Sequence, residues 1–206
     1  MVENAYFNIL IYCSDLQFQC SLFNRSFKRL EICAEHWIKL CSGKGTDGEI
    51  VSPLEIMAEC TVCLSAMAAI RRMLFPSENA NSKVRTRSSL LKELLNVPIL
   101  KNISSVSVRN SWEHNDERLD KILESRIIGK TKISDAYVST KTPSEELTVL
   151  RRFNPIERSI YFSNEKIDLK LCSDEIADLL QCIKLYFQSF PEAVEHGVEA
   201  VEKPRR

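Results

Sequence analysis

The residues best suited to chemistry stand together in Arg109-Asn110-Ser111-Trp112-Glu113-His114, followed at once by Asn115-Asp116-Glu117-Arg118-Leu119-Asp120. Arginine stays charged and presents a fork of donors to phosphate oxygens, whereas histidine exchanges its proton near neutral pH. Chemistry at a phosphate without a metal needs a base and an acid to move protons and a cation for charge growing on the phosphate. His114 has the chemistry of the base or acid, and Arg109 that of the cation. Asn110, one helical turn from His114, is spaced to orient the ring or hold substrate, and Glu113 is spaced to hold Arg109. The same letters also fit a plainer role, with Arg109 and Glu113 as a one-turn ion pair and His114 beside Glu117 or Arg118 on a charged helix face.

The element that must carry these side chains is a helix whose buried stripe is Val108, Trp112, Leu119 and Leu123, widened by Ile122. Five residues separate Arg109 from His114, which is about 140° around an ideal helix. A regular helix would not aim both at one atom. A working site needs irregularity near Arg109, the reach of its long side chain, or two copies of the chain completing one site.

The rest of the chain supplies a bundle for such a helix. It has 206 residues, 44% hydrophobic with 27% charged, enough to bury a core in one domain. Apolar positions recur in steps of four and three at Ile9, Cys13, Leu16, Cys20, Phe23, Phe27, Leu30, Ala34, Trp37 and Cys41, the seam of one long amphipathic helix. Cys13, Cys20 and Cys41 act there as small hydrophobes. Ser52, Pro53 and Glu55 then spell a capping box ahead of Ile56, Cys60, Cys63, Met67, Ile70 and Leu74. Ser173 with Asp174 and Glu175 starts a last helix, with Ile176, Leu179, Leu180, Ile183, Phe187 and Phe190 as its apolar face.

Between these helices the pattern changes. Residues Ser77 to Ser89 read as a polar connection whose Lys83, Arg85 and Arg87 offer a contact surface for a phosphate backbone. Short runs at Lys132 to Val138, Leu150 to Phe153, Ser159 to Phe162 and Ile167 to Leu169 predict a small antiparallel hairpin or sheet near residues 130–170. The expected architecture is mainly α: one helical domain over residues 1–190, a β insertion at about 127–171, and a C-terminal tail at 191–206.

Several functions are disfavoured. Lys+Arg and Asp+Glu are both 28, so no global field draws the protein to nucleic acid or lipid, and an RNA contact must be local. Gly43-Lys44-Gly45-Thr46 lacks the upstream glycine of a phosphate loop, having Ile38 and Lys39 there, and it follows a helix rather than a strand. Cys60-Thr61-Val62-Cys63 has no second ligand pair, and the 3 His are scattered, with His36 at a surface or boundary and His196 in the tail. No metal or cofactor is expected. No apolar run approaches the roughly 18 residues of a membrane span and no signal peptide is evident, so the 8 Cys are read as reduced thiols of a cytoplasmic protein.

Arg109 and His114 separated by four residues, with polar Asn110 after the arginine, resemble the signature of the HEPN superfamily of helical domains. The resemblance covers the motif and its helical setting, not the β segment. It implies a metal-independent endoribonuclease, of the kind found among toxins and defence components, with Arg109 and His114 catalytic. It also implies a homodimer whose cleft is built from both protomers' motifs, and a protein inhibitor or antitoxin as partner. The alternative from another class is a non-catalytic helical module for dimerisation or scaffolding.

Overall fold

The computed structural model describes residues 2–43, 51–105, 120, 132–144, 147–162 and 165–189. The segment Arg109 to His114, Phe190, residues 191–206 and the glycine-containing residues after Gly43 lie outside the described residues. The protein is mainly helical with a small sheet, as the periodicity predicts. Helix α1 is Val2–Cys41, α2 is Pro53–Leu74 and α3 is Ser82–Leu94, followed by the single turn α4, Lys101–Ser104. Strands β1 (Lys132–Ser134), β2 (Tyr137–Val138), β3 (Leu147–Val149), β4 (Arg151–Asn154), β5 (Ser159–Phe162) and β6 (Glu165–Asp168) precede the last helix, α5, Leu169–Gln188.

The seam of α1 is buried from Ile9 to Ala34 and faces α2 and α5. At its end the core thins: Trp37 is half-buried and Cys41 is exposed, so Cys41 is not the packed residue that the repeat predicts. Among the described residues nothing covers the end of the helix, and Gly43 turns the chain in a left-handed conformation at φ 71°. Helix α2 starts as its sequence predicts. The Ser52 hydroxyl accepts the Glu55 N–H at 3.2 Å while the Glu55 carboxylate accepts the Ser52 N–H at 2.9 Å. Its Ile56, Cys60, Cys63, Met67, Ile70 and Leu74 are all buried. By length and composition α2 is apolar enough to cross a membrane, contrary to the expectation that nothing in the chain approaches a span, because Glu59 interrupts the apolar letters without lowering their mean by much. Half of its most apolar stretch is buried inside the protein.

Two boundaries differ from those the sequence predicts. The stretch from Ser82 to Ser89 is helical rather than a connection. Asn81 caps it by accepting the Val84 N–H at 3.0 Å, and its seam runs through a serine, Ser88, buried with its hydroxyl donating to the Met73 carbonyl at 2.5 Å. Helix α5 begins at Leu169, not at Ser173. Its cap is Asp168, which accepts the Lys170 and Leu171 N–H groups at 2.9 and 3.1 Å, and buried Leu169 and Cys172 extend the apolar face by a turn.

Strands β4, β5 and β6 form the expected antiparallel meander, and β2 joins it on the outer edge of β4. That edge pairing is parallel, as is the separate pairing of β1 with β3. The connection from β2 to β4 is long enough to cross back and re-enter in the same direction, which a tight hairpin does not allow. One face of the sheet (Val138, Phe153, Ile160, Phe162, Ile167) joins the helical residues in one hydrophobic core, with α2 and α5 as its neighbours.

Candidate functional site

The four residues assigned to chemistry by sequence, Arg109, Asn110, Glu113 and His114, lie outside the described residues. What the structure gives is the way into their segment. Turn α4 ends at Ser104, one residue before this described stretch ends, and both its ends are tied to the bundle. At its start, Glu175 of α5 accepts the Asn102 N–H at 2.9 Å, the Ile103 N–H at 2.9 Å and the Asn102 side-chain amide at 2.8 Å. At its end, Arg71 of α2 donates from Nε to the Ser104 carbonyl at 2.9 Å. Ile103 between them is buried. Hydrogen bonds to charged partners at both ends are stronger than neutral ones, so α4 is held firmly against the bundle just before the Arg109 segment.

The three basic residues assigned to phosphate contact are brought only partly together. On α3, Lys83 and Arg87 are one turn apart and line the same cavity of about 730 Å³ with Asn81, Thr86 and Tyr12. Arg85, two residues from each, is on the other side of the helix and lines no part of that cavity. The Arg87 guanidinium sits 4.8 Å over the Tyr12 ring of α1. Its Nε is buried and has no hydrogen-bond partner among the described residues. A cation held against an aromatic face is of a type that pairs with phosphate oxygens, though the buried Nε itself is closed to solvent.

His36, the histidine among the described residues, is half-buried on α1 as a boundary residue, as expected, and its Nδ1 is buried with no hydrogen-bond partner among the described residues. Cys60 and Cys63 are packed side by side in the core, and burial pushes both thiols well above their ordinary range, against metal or redox use. The Cys63 thiol lies 4.0 Å from the Phe23 carbonyl.

Sequence reasoning missed a second constellation on the outer face of the sheet. Arg152, Asn154 and Tyr161 occupy alternate positions that face away from the core, yet Arg152 is only 8% exposed and Asn154 3%. Residues 140–143 and 147–149 cover them, leaving a cavity of about 500 Å³ lined by both. Arg152 lies 4.0 Å over the Tyr161 ring, its cross-strand partner, and donates to the Lys141 carbonyl at 3.0 Å. Asn154 shapes the β4–β5 turn, its side-chain oxygen accepting the Ile156 and Glu157 N–H groups at 3.0 and 3.2 Å. Glu157 gathers the Asn154 amide at 2.7 Å, Lys166 at 2.7 Å and the Tyr161 hydroxyl. The Lys166 and Tyr161 donors hold the Glu157 carboxyl below its ordinary range. The signal was present in the letters, as an arginine on a strand whose neighbours alternate inward, but a solvent-facing arginine is what a half-buried strand normally shows.

No protein-family model matches the chain, and neither a curated protein nor a solved structure matches it.

Proposed function

We propose that the chain is a metal-independent endoribonuclease of HEPN type, working as a homodimer, with Arg109 and His114 as its catalytic pair. The observation that carries this reading is the Arg-x4-His spacing with Asn110 directly after the arginine, in a protein that is mainly a helical bundle. Arg109 stabilises the phosphorane-like charge, and His114 moves the proton of the 2′-hydroxyl or of the leaving oxygen. Asn110 and Glu113 orient the pair. The 140° divergence of the two side chains on an ideal helix is answered by a second protomer, whose motif supplies the missing partner. Lys83 and Arg87, held beside Tyr12, guide the RNA backbone. A protein antitoxin or inhibitor that covers the cleft fits this activity in the cytoplasm.

The non-catalytic reading, a dimerisation or scaffold module, is favoured by the zero formal charge. It is also favoured by Ile11 and Phe18, exposed on α1 one heptad apart, and by Ile32, exposed two heptads beyond Phe18 with Arg25 between them. One experiment separates the two. The purified protein is incubated in EDTA with single-stranded and structured RNA, beside His114→Ala and Arg109→Ala. Cleavage by the wild type that leaves cyclic phosphate ends and is abolished in both variants is the expected result. Intact RNA, or equal cutting by the variants, would remove the nuclease reading and leave the module.

A further inference from the structure

We propose that the groove between α1 and α3 is a docking surface for the chain's own acidic C-terminal segment, residues 192–202. Ile9 and Tyr12 of α1 and Val84 and Leu90 of α3 give the groove an apolar lining, and Lys83 and Arg87 give it charge. Among the described residues neither cation has a carboxylate partner, and the Arg87 guanidinium rests on the Tyr12 ring. Helix α3 carries Lys83, Arg85, Arg87 and Lys92 before its first acid, Glu93, and has no acid in its first turn, where the helix dipole favours an anion. Leu90 is 38% exposed and extends the apolar lining to the surface. Such a surface is complementary to a segment that pairs an apolar stripe with an acidic one.

Residues 192–202 have that composition. Glu192, Glu195, Glu199 and Glu202 recur in steps of three and four, as do Val194, Val198 and Val201, and no lysine or arginine intervenes before Lys203. Wound as a helix on the groove, the segment would carry its carboxylates along one stripe and its valines along the next. The segment also starts in the right place. Helix α5 runs from the sheet toward α3, and its Cys182 sulfur lies 3.8 Å from the carbonyl of Asn96, just past the end of α3. From there α3 leads back to the groove over its 13 residues, about 20 Å. Residues 190–202 cover that distance even when wound as a helix, at about 1.5 Å per residue. Tethering holds the segment at an effective concentration of roughly the millimolar range, which favours it over the same segment of a second copy. The inference does not rest on the ribonuclease reading; where that reading holds, segment and RNA compete for Lys83 and Arg87.

The full chain, as an equal mixture of heavy-isotope-labelled and unlabelled protein, is treated at low salt with a carbodiimide, which joins a carboxylate to a lysine amine where the two touch. Mass spectrometry maps the joined peptides. Lys83 is expected to be joined to a glutamate of residues 192–202 carrying the same isotope, at several times the yield found at Lys39, which is exposed at the other end of α1. Val198→Ser and Val201→Ser keep every coupling group and leave the core untouched. Each is expected to lower the docked population, and the yield with it, about tenfold, the equivalent of one buried valine. Arg87→Gln should also lower the yield, and Arg85→Gln should leave it unchanged. The proposal is overturned if Lys83 couples no more than Lys39, or if the valine variants couple as well as the wild type, which would mean chance collision. It is likewise overturned if the joined peptides mix isotopes, which gives the groove to a second copy, or if Lys83 stays uncoupled yet is shielded from acetylation by single-stranded RNA, which gives it to RNA.

Discussion

Glu175 on α5 accepts both the backbone N–H of Asn102, at 2.9 Å, and its side-chain amide, at 2.8 Å. A carboxylate from the last helix thus caps the turn that precedes the Arg109 segment, although the two residues are far apart in sequence. Glu175→Gln keeps the shape but loses the charge, so it is expected to cost about 1.5–3 kcal/mol, the range for hydrogen bonds to charged groups. Urea unfolding measures the loss, and amide exchange at Asn102 and Ile103 should quicken. Unchanged stability and exchange would show that the cap does not hold α4.

The arrangement of α3 separates its three cations. Lys83→Gln and Arg87→Gln are each expected to weaken binding of single-stranded RNA and to lower the salt slope by about 0.7 for every phosphate no longer neutralised, whereas Arg85→Gln should leave both nearly unchanged. Binding isotherms at several salt concentrations, made in parallel with wild type and with the His114→Ala protein, test this. Equal effects from all three substitutions would point to diffuse charge rather than to the face shared with Tyr12.

Asp135, in the turn between β1 and β2, is ion-paired with Arg151 of β4, and that bond holds its carboxyl below the ordinary value of 3.8. A carboxyl whose folded value is depressed stabilises the protein fully above its unfolded value and loses that contribution as pH falls through the folded one. Wild type should therefore exceed Asp135→Asn in stability at neutral pH, and the gap should close below about pH 4. Thermal melts across roughly pH 2–7, a range that spans the carboxylate titration, follow it. A gap that persists at the acid end would argue against the pair as its source.

The cysteines should divide by burial. Cys41 is exposed, while burial pushes the Cys13 thiol up to about 11 and the Cys20 thiol up to about 12. At about pH 8 the buried thiols hold almost no thiolate and are shielded from reagent. Peptide mass spectrometry after brief iodoacetamide treatment is expected to find Cys41 modified, and Cys13, Cys20, Cys60, Cys63 and Cys172 modified only after denaturation. Labelling of Cys60 or Cys63 in the native protein would contradict their place in the core.

Periodicity made α1 and α2 legible because their apolar positions are apolar by letter, and the capping box at Ser52 was legible because it depends on three neighbouring residues. Helix α3 was hidden because Ser88, a polar letter, fills a core position by bonding the Met73 carbonyl. Asp168 was hidden as a cap because strand β6 runs directly into α5, so no turn letters separate the two elements. The Arg152 cavity depends on residues before β4 folding back over the sheet, which no local pattern encodes. The motif at Arg109 to His114 rests on its letters alone, and its geometry lies outside the described residues.

The contact between α1 and α5 sets the first and last described helices against each other. Synthesis on the ribosome delivers α1 and α2 long before α5, so the flank of the α1 seam that α5 covers stays wet until the final helix has emerged. A nascent chain in that interval presents Leu, Phe and Cys side chains that invite a chaperone or a neighbour, and a truncation within α5 is expected to be cleared rather than to accumulate.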